Sequence, residues 1–465
     1  MDRRTLADRR ALTDRRTLAA AVAVVLAATL ATAGCGSGGS SSSQSAKKST
    51  GCVQIVNEAT GKKTGKCMPL APKKDRVDLD KPAFSRPTSI TNPLHPSSRV
   101  QQVIYGGQVG GKPFRTEFTL LPDKKTIALN GERVKVRTLQ YTALSDGRIE
   151  EVALDWFAQA DDGSVWYLGE DVFNYADGVV ADTDGTWKAG RTGPAAMIMP
   201  AHPKAGDVYR PENAPEVVFE EVTVKAVGQT VPGPYGPVKG AVTVNELHMD
   251  GSREDKVFAP GYGEFSTGEP NGDLEAVSLA VPTDAKPGPV PSGLAALSDA
   301  VRTAHDESTG QAEVRKLRAA WDAYRASDRV SPVLTRQMNR DLGSLAAAVA
   351  AHDARTARGA ALRVAQNDLD LHLRYEPLAT VEAARMDLWA RQLKLDAAAK
   401  DEGAVAGDVT SLELTWERVE HSTAPGKAER ISGQLRELRG AADHKDTAEA
   451  AKLAPALTGS LAGRS

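Results

Sequence analysis

The feature that most constrains the fold is a change of hydrophobic period at a proline- and glycine-rich stretch, KPGPVPSG, at residues 286–293. Before it, short apolar or alternating runs are separated by glycine-containing turns, which is typical of β-strands. After it, apolar residues recur every three or four positions, which is typical of helices that bury one face. We therefore predict a multidomain α and β protein with an antiparallel β-sheet domain (residues 99–283), a Pro/Gly linker (284–292) and an all-α helical bundle domain (293–462).

The first half shows nine runs of strand length, at residues 100–105, 114–121, 133–144, 148–158, 165–170, 217–227, 238–247, 255–258 and 274–281. Asp-Gly pairs at 146–147, 162–163, 177–178 and 184–185 supply the positive φ angles that tight hairpin turns require. No segment of helical length separates these runs, so neighbouring strands should pair in antiparallel fashion. The sheet is expected to be a half-barrel or a sandwich.

In the second half, Val405, Val409, Leu412, Trp416 and Val419 alternate in steps of four and three. Such a stripe predicts antiparallel helices that pack at shallow angles, here an up-and-down bundle of at least four long helices. Ser331 followed by Pro332 predicts a helix start with a serine cap, and Asp353 predicts a second cap.

Composition excludes some classes of function. The chain of 465 residues carries 58 Lys+Arg and 60 Asp+Glu, so it lacks the basic surface that nucleic acid requires. The sequence contains no HExxH, GxSxG, Walker or dinucleotide-binding motif. We therefore predict no nucleic-acid partner, no cofactor and no catalytic residue, and we expect that the protein is not an enzyme.

The N-terminus has an arginine-rich start, a small-apolar run at residues 18–33 and the sequence TAGC, which ends in Cys35. It resembles the lipobox-type signal peptide of bacterial lipoproteins, except that Thr32 stands where leucine is preferred. The resemblance implies removal of residues 1–34 and a diacylglycerol on the Cys35 sulfur, with two acyl chains giving stable anchoring. An ordinary secretory peptide or a membrane helix is the alternative, and Arg15-Arg16 leaves the Sec and twin-arginine export routes both open.

Residues 35–51 are rich in glycine and serine and predict a flexible tether. A short loop and an extended segment, residues 52–98, follow it. Cys52 and Cys67 form an even pair in a chain with an export signal, so we predict a disulfide bond between them in preference to a metal pair.

The aromatic-rich stretch DWFAQADDGSVWYLGEDVFNYADG occupies residues 155–178. Its aspartates do not have the spacing of an EF-hand calcium loop, and the pattern favours hairpins. Because Trp166 and Tyr167 are neighbours, they should face opposite sides of the sheet. Trp156, Trp166 and Tyr167 are weak candidates for a ligand-binding surface.

Residues 149–215, with an echo at 257–265, resemble an uncharacterised family of exported bacterial β proteins. That sheet is in turn similar to the half-barrels of lipoprotein-carrier proteins, which hold acyl chains in a concave face. In the same region, Met197, Met199 and His202 are residue types that bind copper, but the prolines around His202 favour packing. His202 remains a weak ligand-binding candidate.

In the helical half, Asp368 and His372 are one turn apart and are weak candidates for a metal site, with Asp387 or Glu413 as further ligands. A plain Asp–His pair that fixes helix positions is the simpler interpretation, because the Glu-x-x-His motif of di-iron bundles is missing.

Three functional hypotheses follow. The first is a lipid-anchored, extracytoplasmic, non-enzymatic protein of the cell membrane that binds a small molecule, a lipid or an envelope protein. The second is a metal- or haem-binding bundle for uptake or sensing. The third is an envelope-polymer hydrolase, which a deep cleft lined by Asp155, Glu170 and Asp171 would favour. A hollow sheet would indicate a carrier, and a packed sandwich would indicate a scaffold.

Overall fold

The computed structural model describes residues 52–57, 60–215, 217–268, 272–306 and 310–463. The predicted signal peptide, Cys35 and the predicted tether lie outside the described residues. The described part of the chain contains sixteen β-strands followed by eight α-helices. The predicted fold class, an antiparallel sheet followed by an all-α part, is confirmed.

The strands are numbered in chain order: β1 (Gln54–Asn57), β2 (Lys62–Cys67), β3 (Gln102–Val109), β4 (Lys112–Leu129), β5 (Glu132–Ser145), β6 (Arg148–Gln159), β7 (Val165–Ala176), β8 (Val179–Asp182), β9 (Trp187–Lys188), β10 (Ala196–Met199), β11 (Val208–Ala214), β12 (Val218–Gly233), β13 (Gly236–His248), β14 (Arg253–Ala259), β15 (Gly263–Gly268) and β16 (Leu274–Val281).

Strands β3 to β16 form one sheet of fourteen strands. It consists of two antiparallel meanders, β3 to β7 and β11 to β16, which the ladder between β3 and β16 joins. Asp146 and Gly147 connect β5 to β6 with φ angles of 47° and 76°, and Asp177 and Gly178 connect β7 to β8 in the same way. The predicted Asp-Gly pairs suit these turns, because both central residues of such a turn have positive φ.

The sheet curves until its two end strands meet. β10 and β11 lie beside each other, and Glu170 of β7 hydrogen-bonds Glu212 of β11. A large apolar core that includes Trp187 and Tyr209 packs against one part of the sheet. The concave face also borders a cavity, so of the two predicted alternatives the sheet is closer to the half-barrel than to the sandwich.

The helices are α1 (Ser292–Asp306), α2 (Gln311–Ser327), α3 (Pro332–Ala350), α4 (Ala354–His372), α5 (Leu378–Ala398), α6 (Glu402–Val419), α7 (Pro425–Asp443) and α8 (Thr447–Leu461). Their apolar stripes meet in two separate cores, one centred on α1 to α4 and one on α5 to α8. The stripe from Val405 to Val419 lies in the second core, as its spacing predicted. Among the described residues, no helix is both long enough and apolar enough to span a bilayer.

The two predicted helix caps have different outcomes. Asp353 accepts a hydrogen bond from the Thr356 amide and caps α4, as predicted. Ser331 is the N-cap residue of α3 and Pro332 follows it, so the predicted helix start is confirmed, but the predicted capping bond from the serine side chain is absent. The Ser331 hydroxyl is buried and has no hydrogen-bond partner in the described part of the chain.

The helices pack on the outer face of the sheet. A network of buried ion pairs joins the two layers. Arg115 on β4 pairs with Asp370 on α4, with Nη1 and Oδ2 2.5 Å apart. Arg418 on α6 pairs with Glu117 on β4 at 2.5 Å and with Glu382 on α5 at 3.2 Å. Because residues alternate along a strand, Arg115 and Glu117 face the helices while Phe114, Thr116 and Phe118 face the interior.

The disulfide between Cys52 and Cys67 is present and closes the hairpin of β1 and β2. This hairpin docks on the sheet, where the Val56 amide donates to the Met249 carbonyl at 3.0 Å and Met68 packs with Phe219 and Leu247.

We expect the double variant Cys52→Ser/Cys67→Ser to loosen this hairpin without unfolding the sheet. Closing a loop of this length is worth about 3 kcal/mol in loop-closure entropy, but the loop can open locally. Hydrogen exchange at Val56 should therefore rise at least about tenfold, while the free energy of global unfolding should change by less than about 1 kcal/mol. A global loss of several kcal/mol would contradict this local role.

Candidate ligand-binding cavity

The interior face of the sheet encloses a cavity of about 560 Å³. Alternate residues of each strand point into it, such as Phe114, Thr116 and Phe118 of β4 and Glu151, Ala153 and Asp155 of β6. The period of two along each strand places these side chains on one face. The segment before β3 contributes His95, which packs against Phe157 with ring centroids 4.5 Å apart.

Aromatic rings form much of the cavity wall. Tyr105, Phe118 and Tyr141 make a continuous series, with centroid separations of 5.8 Å and 4.9 Å. Phe157 and Tyr167 stack at 4.7 Å. Such walls offer apolar area and ring faces to a ligand, which is the usual composition of small-molecule sites.

The cavity wall is also strongly acidic. Among the described residues, ten carboxylate side chains line it, against the basic Lys256, His248 and Arg253 and a half-buried His95, whose pKa is lowered to about 4 by desolvation. The carboxylates are Glu150, Glu151, Asp155, Glu170, Glu212, Glu220, Glu254, Glu264, Asp273 and Glu275.

One group of carboxylates lies near the junction of the sheet ends. Asp155 and Glu170 are directly opposed on β6 and β7, and the Tyr167 hydroxyl donates to Asp155 Oδ1 at 2.8 Å. Burial raises the pKa of Asp155 to about 7. Burial and the charge of Asp155 raise the pKa of Glu170 well above its usual value, and burial and the charge of Glu220 do the same for Glu212. Each of these three acids is therefore easier to protonate than a solvated carboxylate.

The carboxylates of a second group form ion pairs with the side chains of Lys256 and His248. The Lys256 ammonium lies 2.8 Å from Glu246 and 3.4 Å from Glu254, and His248 lies 3.4 Å from Glu220 and 3.3 Å from Glu254. Burial acts to lower the pKa of His248, but the hydrogen bonds with Glu220 and Glu254 raise it to about 10. Within this group, Glu220, Glu246 and His248 have the mutual distances of a metal-binding set, but the Lys256 ammonium occupies the same neighbourhood.

Glu151 lies on the inward face of β6, four residues before Asp155. Within the described residues it makes no hydrogen bond or ion pair, and burial together with the charge of Glu150 raises its pKa to about 7. Glu275 accepts a hydrogen bond from Thr116 at 2.9 Å, and burial raises its pKa to about 8. An unpaired carboxylate in a partly dry cavity is costly to ionise unless a cation joins it.

The structure places the aromatic candidates that the sequence suggested in different surroundings. All three belong to the large apolar core, but Tyr167 also lines the cavity, whereas Trp156 and Trp166 do not. Trp166 and Tyr167 thus face opposite sides, as expected for neighbours in a strand. His202 is exposed at the surface. Met197 and Met199 are buried in the core, where they pack rather than face His202.

Asp161 and Asp162 of the same stretch accept hydrogen bonds from backbone amides of the neighbouring turn and loop. Asp162 accepts from the Ser164 amide at 2.9 Å, and Asp161 accepts from the Ser85 amide at 2.8 Å. Asp171 lies on the outward face of β7, 3.4 Å from Lys125. Of the three acids named for a cleft, Asp155 and Glu170 therefore share the cavity and Asp171 does not.

The helical candidates form a hydrogen-bonded group. His372 Nε2 is 2.8 Å from the Ser298 hydroxyl and 3.9 Å from Asp368, and its Nδ1 is 2.6 Å from Glu376. The order Ser298, His372, Glu376 is that of a catalytic triad, yet Ser298 lies within α1, whose amides are used by the helix, so an oxyanion has no evident donors there.

The proposed further metal ligands are paired elsewhere. Asp387 pairs with Arg391 at 2.7 Å and Glu413 with Arg439 at 2.8 Å. Among the described residues, the one set with metal-binding distances is Glu220, Glu246 and His248, which is in the sheet. The contacts of Asp368 and His372 fit the simpler interpretation, in which they join α1 to α4.

Sequence reasoning missed most of the cavity residues. The sequence did carry a signal, because side chains at every second position of a strand share a face. One face of β6 carries Glu151, Ala153, Asp155 and Phe157, and one face of β14 carries Glu254, Lys256 and Phe258. Acids and rings on the same strand face indicate an interior that is not simply a packed core.

Comparison with protein-family models and with curated proteins finds no match to this chain, so the resemblance of residues 149–215 to exported β proteins stays an expectation. In the described part of the chain, the structure combines a curved antiparallel sheet, an acidic cavity lined by aromatic rings, and helices packed on the opposite face of the sheet.

Proposed function

We propose that this protein is a lipid-anchored, extracytoplasmic binding protein that holds a small molecule inside its β-sheet, without catalysis. The observation that carries the proposal is the hollow interior of about 560 Å³. Small-molecule sites usually measure about 300–1,000 Å³ and combine apolar walls with a few polar groups. A scaffold protein would instead be expected to fill such an interior with side chains.

The arrangement of the two halves supports a binding role. The helices pack on the outer face of the sheet, through Arg115, Arg418 and their partners, and leave the inner face free. The curved wall is thus supported from behind by buried ion pairs. A ligand site on a rigid, supported sheet loses little free energy to reorganisation when the ligand binds.

The location rests on the sequence of residues 1–51. We expect the mature protein to begin at an acylated Cys35 and to fractionate with membranes, and Cys35→Ala to release it into the soluble fraction. Membrane extraction followed by mass analysis of the N-terminal peptide checks this. An unmodified Cys35 in a freely soluble protein would show that the anchor is wrong.

Blocking the cavity tests the binding role. Ala153 is buried on the inward face of β6, so Ala153→Phe should fill part of the cavity. We expect it to weaken binding of the neutral fluorescent probe N-phenyl-1-naphthylamine by about tenfold or more. The matched control is Val179→Phe, at an exposed position on β8, which should bind as the unmodified protein does. Equal binding by both variants, or no binding by the unmodified protein, would contradict the proposal.

A hydrolase is the second candidate, because Asp155 and Glu170 oppose each other in the cavity. Carboxylate pairs that cleave glycosidic bonds divide the work between one protonated and one ionised group. Here burial raises the pKa of both acids in the same direction, so the cavity does not divide them into an acid and a base as such a mechanism requires. Recovery of the bound molecule unchanged after incubation supports binding; turnover that Asp155→Asn abolishes would support the hydrolase.

A further inference from the structure

We propose that the ligand of this cavity is an organic cation, an amine or quaternary ammonium group carried on an apolar body. This inference rests on the proposed binding function and names the class of ligand. The cationic group would lie among Glu151, Asp155 and Glu170, and the apolar body against the ring series of Tyr105, Phe118 and Tyr141.

The distribution of charge locates the cationic group. At the β12–β15 side, Lys256 and His248 form ion pairs with Glu220, Glu246 and Glu254. At the β6–β7 side, the described contacts of Asp155 and Glu170 are with Tyr167, Glu212 and each other, and none of these is basic. Glu151 makes no hydrogen bond or ion pair in the described part of the chain. The protein thus supplies counter-charge on one side of the cavity and leaves the other side without it.

The rings supply an independent reason for an organic ligand. Tyr141 lies in the middle of the wall, close enough to Glu151 and Glu275 for their charges, after burial, to contribute to its raised pKa. Aromatic faces beside carboxylates are the combination that recognises ammonium and quaternary ammonium groups. Val103, Leu120, Leu139 and Ala143 extend the wall with apolar surface that an alkyl or aryl body would cover.

A bare metal ion explains less of the cavity. The set with metal-binding distances, Glu220, Glu246 and His248, already has the Lys256 ammonium 2.8 Å from Glu246. An ion at that place would have to displace this lysine. It would also leave the ring series and most of the 560 Å³ without a role.

The test compares three ligands that share one alkyl body: decyltrimethylammonium, decanol and decanoate, each titrated calorimetrically below its micellar concentration into the mature protein at pH 8. We expect the cation to bind at least about tenfold more tightly than the alcohol, and decanoate to bind most weakly. Binding of the cation should also release protons, seen as a dependence of the heat on the buffer, because the cavity acids ionise to meet it.

Two variants make the comparison specific. Glu151→Gln should weaken the cation about tenfold and leave decanol within about twofold. The matched control Glu132→Gln replaces an exposed glutamate that pairs with Lys81 and should change neither.

The outcomes separate the two proposals. If decanol binds as tightly as the cation and Glu151→Gln changes neither, the cationic ligand is wrong while the binding function stands. If none of the three ligands binds, both are wrong. Micromolar binding of Ca²⁺ or Mn²⁺ alone that Glu246→Gln abolishes, together with no preference for the organic cation, would replace the inference with a metal site.

Discussion

Replacing Arg418 with alanine should lower the free energy of unfolding by about 3–5 kcal/mol, because the change leaves one carboxylate of a buried ion network uncompensated. Arg418 is 3 % exposed and bonds Glu117 on β4, Glu382 on α5 and the side chain of Gln140 on β5. Without the guanidinium, Glu117 keeps Arg115 and Glu382 keeps Arg385. Both of these arginines also pair with Asp370, so one buried carboxylate of the network must stay uncompensated or take up a proton. Urea denaturation followed by circular dichroism measures the loss.

Two further variants make this result specific. Arg302→Ala removes an exposed arginine from its pair with Asp299 on α1 and should cost less than about 0.5 kcal/mol. The double variant Arg418→Met/Glu117→Gln should recover part of the loss, since it removes a stranded charge and fills the space. Equal effects of Arg418→Ala and Arg302→Ala would mean that the buried network contributes little.

The same network should make the protein sensitive to acid. Burial acts to raise the pKa of Glu117, but Arg418 and Arg115 hold it below its usual value. A carboxylate whose pKa is lowered on folding contributes stability above its unfolded pKa, and that contribution is lost as the pH falls toward its folded pKa. Arg418→Ala should therefore cost less at pH 3 than at pH 7.

Replacing Glu151 with glutamine, in contrast to Arg418→Ala, should raise the free energy of unfolding of the ligand-free protein at alkaline pH. Burial and the charge of Glu150 raise the pKa of Glu151 from 4.5 to about 7, while Asp155 and Tyr141 are its other titratable neighbours. When the folded pKa is the higher one, the folded state binds more protons, and stability falls as the pH rises between the two values. The gain from Glu151→Gln should therefore be about 2–3 kcal/mol larger at pH 9 than at pH 5.

Urea denaturation at pH 5 and pH 9, with the protein free of ligand, checks this difference. The matched control is again the exposed Glu132→Gln, for which no dependence on pH is expected. A gain from Glu151→Gln that is the same at both pH values would show that Glu151 is solvated and not part of a partly dry cavity. Addition of decyltrimethylammonium should reverse the preference at pH 9, because the cation stabilises the protein that carries Glu151.

The fold could be predicted where local signals agreed. The Asp-Gly turns at Asp146 and Asp177 and the stripe from Val405 to Val419 were identified correctly, because turn chemistry and hydrophobic period are local properties. The short strands β10, β11 and β15 were not predicted, although β10 and β11 close the sheet. Strands of four to seven residues among prolines and glycines carry too little pattern to be recognised.

The candidate site could be predicted only in part. Asp155, Glu170 and Tyr167 were considered, but Glu212 and Glu275 come from strands distant in sequence and approach them only when the sheet curves. Glu151, on the same strand as Asp155, was missed. Trp156 was named as a ligand-binding candidate because it is aromatic. It is instead buried beneath Lys125, whose ammonium lies 3.3 Å from the ring centroid. A ring in a strand looks the same in sequence whether it faces a core or a cavity.

The sequence by itself determined the order of the sheet and the helices, the turn positions and the pairing of Cys52 with Cys67, because each depends on residues near one another in the chain. Only the tertiary structure decided which face of the sheet stays hollow. The helices bury the face that carries Arg115 and Glu117, and the opposite face gathers ten carboxylates around one space. The two faces alternate residue by residue, so their difference arises from what packs against each of them.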